Sequence, residues 1–113
     1  MRKRTLTALA FAASTSAFAQ GVDHPTEFGV PDCGYWFKPA ARQVNIAWLM
    51  GFLSGDNVGI TATMRTLKTD PLERLRSGEQ AVLWMDNYCN ANPLNDVSQG
   101  AQALYNEVWL PKK

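Results

Sequence analysis

The sequence predicts an all-α fold, a small single-domain bundle of three to four helices with one disulfide. Three observations carry that expectation. Apolar residues recur at helical spacing in separate stretches. Prolines, asparagines and capping residues stand at the joints between those stretches. The chain also has only two cysteines, Cys33 and Cys89, behind a segment that reads as an export signal.

The first helix is expected to start near Pro39 or Ala40. Ile46, Leu49, Met50 and Leu53 then follow the i, i+3, i+4, i+7 pattern, with Trp48 and Phe52 on a neighbouring strip. Gly51 and Gly55 share one face of this helix, which suggests close approach of another helix there. Asp56, Asn57 and Gly59 suggest a bend or helix end. Asp70, Pro71 and Glu73 read as a short capped helix start, and Ser77 with Gln80 as a second capping box. The helix that follows places Ala81, Trp84, Met85 and Tyr88 on one face, with Cys89 beside them. Asn92 is expected to end it, because a residue before proline avoids the α region. The final helix is read from Pro93, with Leu94, Val97, Ala101, Leu104, Tyr105 and Val108 at helical spacing.

Length and charge narrow the function. The 113-residue chain opens with Arg2, Lys3 and Arg4, followed by an alanine-rich apolar run. Ala17 and Ala19 fit the small-x-small rule, so residues 1–19 read as a signal peptide cleaved after Ala19. The apolar run is short and is interrupted by Ser14 and Ser16, so it is not expected to span a membrane. Removing 19 residues leaves 94, divided into a flexible lead-in over residues 20–32 and a helical domain over residues 33–113. Three of the 11 basic residues leave with the signal and none of the 10 acidic ones, so the net charge passes from +1 to −2. An exported, mildly acidic chain does not suit nucleic acid, which calls for a basic face. The expected compartment is an oxidising one outside the cytoplasm. There the two cysteines would pair, closing a loop whose entropy is worth on the order of 4 kcal/mol.

The same residues offer little chemistry. The two cysteines lie far apart, and the one histidine, His24, falls in the lead-in. No metal site and no cofactor are therefore expected. The stretch GFLSG at residues 51–55 has its serine one place late for a nucleophile elbow. Asp86, in WMDNYC, is the carboxylate nearest an apolar face, and the simpler reading is that it holds an adjacent loop or backbone donor. The chain is not expected to be an enzyme. Binding remains. Of the four tryptophans, Trp48 and Trp84 read as core. Trp36 and Trp109, beside a loop and a terminus, read as surface anchors for a protein partner.

Three stretches taken together resemble a known family. They are CGYW at residues 33–36, AWLMGFLSGDN at 47–57 and LWMDNYCNANPL at 83–94. This combination is similar to the type VI secretion amidase-immunity (Tai) family and its Rap relatives, over roughly Cys33 to Val108. The resemblance implies a small helical periplasmic protein that binds a secreted peptidoglycan amidase and blocks its active site. It further implies a homodimer, and partner contacts near Asp56, Asn57 and the stretch to Asp70. Exported helical proteins with one disulfide also resemble acid-activated periplasmic chaperones of the HdeA type. A third reading is an inhibitor of another cell-wall hydrolase.

Overall fold

The computed structural model describes residues 25–109. The proposed signal peptide, His24 and the last four residues lie outside that range. The fold is all-α. Helix α1 spans Cys33–Trp36, α2 Arg42–Thr63, α3 Gly78–Ala91 and α4 Val97–Trp109. Short 3-10 turns at Pro39–Ala41 and Pro71–Arg74 lead into α2 and towards α3. No strand forms among the described residues, although Asp32 and Asp96 make an isolated antiparallel bridge.

Helix α4 is the hub, packing against α2, α3 and the 3-10 turn at Pro71–Arg74. Its buried residues are Val97, Gly100, Ala101, Leu104 and Tyr105, a continuous stripe at three- and four-residue steps. Leu49 and Leu53 of α2 and Ala81, Met85 and Cys89 of α3 complete the core with Cys33 and Trp36. Burying a side chain the size of Leu or Met is worth about 1.5–3 kcal/mol. These few residues therefore account for much of the drive to fold.

The helix starts follow from their caps. The Asp32 carboxylate accepts from the Tyr35 N–H at 2.6 Å, and Asp70 accepts from the Leu72 N–H at 2.8 Å. Ser77 Oγ accepts from the Gln80 N–H at 3.4 Å. The Gln80 side chain reaches back to the Arg76 N–H at 3.0 Å, one residue beyond the Ser77 N–H that a reciprocal box would use. A full reciprocal box opens α4. Asp96 Oδ1 accepts from the Gln99 N–H at 2.9 Å, and Gln99 Oε1 accepts from the Asp96 N–H at 3.0 Å. That box moves the start of α4 from Pro93 to Val97 and leaves Leu94 outside the helix, 97% exposed.

Helix α2 also departs from expectation. It continues through Asp56 and Asn57 to Thr63. The Thr61 and Thr63 hydroxyls donate back to carbonyls in the preceding turn, and the Met64 N–H closes on the Ile60 carbonyl. Gly51 and Gly55 do not mark a helix contact, because a Cβ at either would meet nothing within 4 Å. The close approach is at Gly100 instead. A Cβ there would lie 2.6 Å from Met85 Sδ and 2.7 Å from Tyr88 Cδ1.

Cys33 and Cys89 form the expected disulfide, with Cα atoms 4.8 Å apart. The bond fastens α1 to the last turn of α3, 56 residues later in the chain. Beside it, the Cys33 N–H donates to the Asn95 carbonyl and the Val97 N–H to the Pro31 carbonyl, each at 2.9 Å. The stretch YCNANPL, residues 88–94, is thus a corner. It ends α3, carries the staple and turns the chain towards α4.

Two predictions follow from this packing. Replacing both cysteines with alanine should lower unfolding free energy by about 4 kcal/mol, seen as a lower urea midpoint at unchanged helical signal. Among the glycines, Gly100→Ala should destabilise by about 1–3 kcal/mol through overpacking. Gly51→Ala should instead stabilise by about 0.5–1 kcal/mol, since its site is open and helical. Equal effects at the two glycines in urea melts would contradict the packing described.

Candidate functional site: an aromatic platform on helix α2

Two polar junctions hold the frame on which any surface site must sit. The first joins α1, α2 and α3. Asp86 accepts from the Trp36 indole N–H at 2.7 Å and from the Arg42 guanidinium at 2.8 and 3.0 Å. The Arg42 guanidinium also lies 4.8 Å from the centre of the Trp36 ring. Buried Asn45 donates to the Tyr35 carbonyl at 3.0 Å, satisfying one of the groups left open where α1 ends. Asp86 therefore ties side chains of two other elements onto α3. Losing it would leave a buried indole donor without a partner, a cost of about 1–3 kcal/mol.

The second junction joins α2, α4 and the turn before α3. The Tyr105 hydroxyl donates to Asn57 Oδ1 at 3.2 Å, and Asn57 Nδ2 donates to Asp70 Oδ1 at 2.9 Å. Burial raises the Tyr105 hydroxyl pKa above its usual value, and the charges of Asp56 and Asp70 raise it further.

These junctions reassign several residues singled out from sequence. Trp36, expected at the surface, is fully buried under Arg42 and hydrogen-bonded to Asp86. Its place beside the disulfide carries it inward, so its side chain cannot serve as a surface anchor. Asn57 is turned to an internal role, with both ends of its amide engaged within the fold. Trp48 and Trp84, read as core, are only half-buried at its edge. Trp84 stacks on Tyr88 with ring centres 5.4 Å apart, and its indole donates to Glu107 at 2.8 Å. Trp109 is half-buried at the end of α4, edge-on to Tyr105 at 5.9 Å. It walls a cavity of about 260 Å³ with Leu67, Pro71 and Val108.

The surface that stands out was not legible as a unit. Trp48 and Phe52, one turn apart on α2, stack with ring centres 5.1 Å apart. The lead-in crosses them, and the Trp48 indole donates to the Phe28 carbonyl at 2.8 Å. Gly29 takes φ +68° immediately afterwards, a conformation that glycine adopts without strain, and so turns the chain across the Trp48 ring. Phe28 itself is 85% exposed. Glu27, Phe28, Ala47, Trp48, Gly51 and Phe52 line a shallow groove of about 350 Å³. Gly51 leaves the floor of this groove open.

Asp56 stands one turn beyond Phe52. Burial raises its carboxyl pKa above the usual 3.8, and the nearby Glu27 charge raises it further. Asp56 therefore adjoins the platform, although it lies inside a helix rather than on a loop. A second groove, of about 620 Å³, runs between α2 and α3 past Ile46, Met50, Val82 and Leu83.

Among the described residues no group of His, Cys, Asp or Glu is arranged to hold a metal ion. No helix among them is long and apolar enough to cross a membrane. Comparison of the chain with protein-family models, curated proteins and solved structures gives no match.

The raised Asp56 pKa has a consequence for stability. Between pH 3.8 and the higher folded-state value, the native state holds more protons than the unfolded chain. Stability contributed by this group is therefore greatest below pH 3.8 and is lost as pH rises through that interval. Asp56→Asn should raise the urea midpoint at pH 7, and the gain should vanish on acidification below that range. A gain that persisted in acid would contradict a charge origin.

Proposed function

We propose that this chain is an exported binding protein of the immunity type, which occludes the active site of a secreted peptidoglycan amidase and performs no chemistry itself. The observation that carries the proposal is the platform of exposed Phe28 beside the half-buried rings of Trp48 and Phe52, held on a disulfide-locked frame. Aromatic side chains of this kind supply large contact area at small entropic cost, and tryptophan is enriched among interface hot spots. The resemblance of three sequence stretches to the amidase-immunity family supports the choice of partner. CGYW contributes Cys33 of the disulfide and the buried Trp36. AWLMGFLSGDN carries the platform. LWMDNYCNANPL holds Asp86 and the corner into α4.

The periplasm is the proposed compartment, reached by export with cleavage after Ala19. The disulfide supports an oxidising environment there. A homodimer, implied by the same resemblance, belongs to the proposal.

The test is capture on immobilised, oxidised protein from residue 20 onwards, at pH 7 and high salt. The applied sample is the secreted fraction of the source cells. One cell-wall amidase retained in fixed stoichiometry is the expected result. Retention of a different cell-wall hydrolase would overturn the choice of target. Binding of many unfolded proteins and apolar dyes only below about pH 4, where carboxylates titrate, would replace the proposal with an acid-activated chaperone.

A further inference from the structure

The platform on α2 presents charge as well as apolar area. Trp48, Phe52 and Asp56 are spaced by four and lie along one strip of the helix. Glu27, on the crossing lead-in, lines the same groove as Trp48 and Phe52. Asp56, one turn beyond Phe52, has its carboxyl pKa raised by burial first and by the Glu27 charge second. Neither carboxylate takes part in a hydrogen bond or ion pair among the described residues. Asp86 differs in this respect, since Arg42 neutralises it 2.8 Å away.

This combination selects the chemistry of what docks there. A purely apolar segment would cover Glu27 in the groove, beside Asp56 one turn beyond, without pairing either, which is costly. An acidic segment would add like charge. A cationic side chain meets both features, because aromatic faces attract cations and the carboxylates accept their hydrogen bonds. Arginine fits better than lysine. Its planar head stacks on rings and offers several donors in a fixed fork, while its stem lies along apolar surface.

We infer that this groove receives an arginine side chain of the protein partner, stacked on Trp48 and Phe52 and paired with Glu27 and Asp56. The inference rests on the protein-binding reading above and names the contact that the platform makes. Glu27 and Asp56 thereby become specificity-determining residues, and the aromatic pair supplies the contact area.

The experiment uses the oxidised full mature chain and follows the Trp48 indole N–H by NMR. The probes are Nα-acetyl-arginine amide and the matching citrulline amide, which keeps the shape and loses the charge. Arginine should produce a saturable shift, and citrulline should bind about ten-fold more weakly, as expected for loss of a charge-assisted pair. The double variant Glu27→Gln, Asp56→Asn should lose the same preference while its far-UV spectrum stays unchanged. An equal response to both probes, or an unchanged preference in the double variant, would overturn the inference.

The captured amidase separates the two claims. Wild-type binding that is unaffected in the double variant would overturn the arginine contact and leave the immunity proposal standing. Arginine selectivity in a chain that binds no amidase would sustain the contact and sink the choice of partner.

Discussion

The bond between Cys33 and Cys89 brings together two parts of the chain that are 56 residues apart. Much else follows from that closure. It sets α1 against the end of α3, which places the Trp36 indole N–H where it donates a hydrogen bond to Asp86. It brings Pro31 and Cys33 alongside Asn95 and Val97, so that backbone bonds tie the lead-in to the start of α4. The chain before Pro31 is thereby directed across α2, and Phe28 meets Trp48. The candidate binding surface therefore depends on a covalent link at the other end of the same segment. In a domain that buries only about 60–65% of its unfolded surface, such a constraint is a large part of the net stability.

Much of the helical plan was legible because local rules act locally. The spacing of Leu49 and Leu53, of Ala81 and Met85, and of Val97, Ala101 and Leu104 marks three faces that are buried as the period requires. Asp70 and Ser77 cap as their types allow, whereas Asp32, read only as part of the lead-in, caps the unexpected α1. A second local signal was overlooked. Asp96 and Gln99 have capping-box spacing, and their mutual bonds start α4 at Val97, four residues after Pro93.

The remainder was set by packing between distant segments. Sequence makes Gly51, Gly55 and Gly100 look alike. Only the meeting of α3 with α4 makes Gly100 the close approach and leaves the other two open. Trp36 stands next to a loop, yet it is buried because its partners lie 6 and 50 residues away, in Arg42 and Asp86. The platform was hidden for the same reason. Its rings come from α2, whereas Glu27 and Phe28 come from a segment without a period. Asp56 was expected among the partner contacts, at a bend or helix end. It lies beside the platform but within a helix.

The proposed function is occlusion of a peptidoglycan amidase by a rigid partner that performs no chemistry. The most direct measurement is the rate at which the captured amidase cleaves peptidoglycan, titrated with the oxidised protein. The account predicts a linear fall to zero at a fixed whole-number ratio of the two chains, with both recovered intact. Undiminished cleavage at saturating protein would contradict it, as would loss of activity at far less than one chain per enzyme.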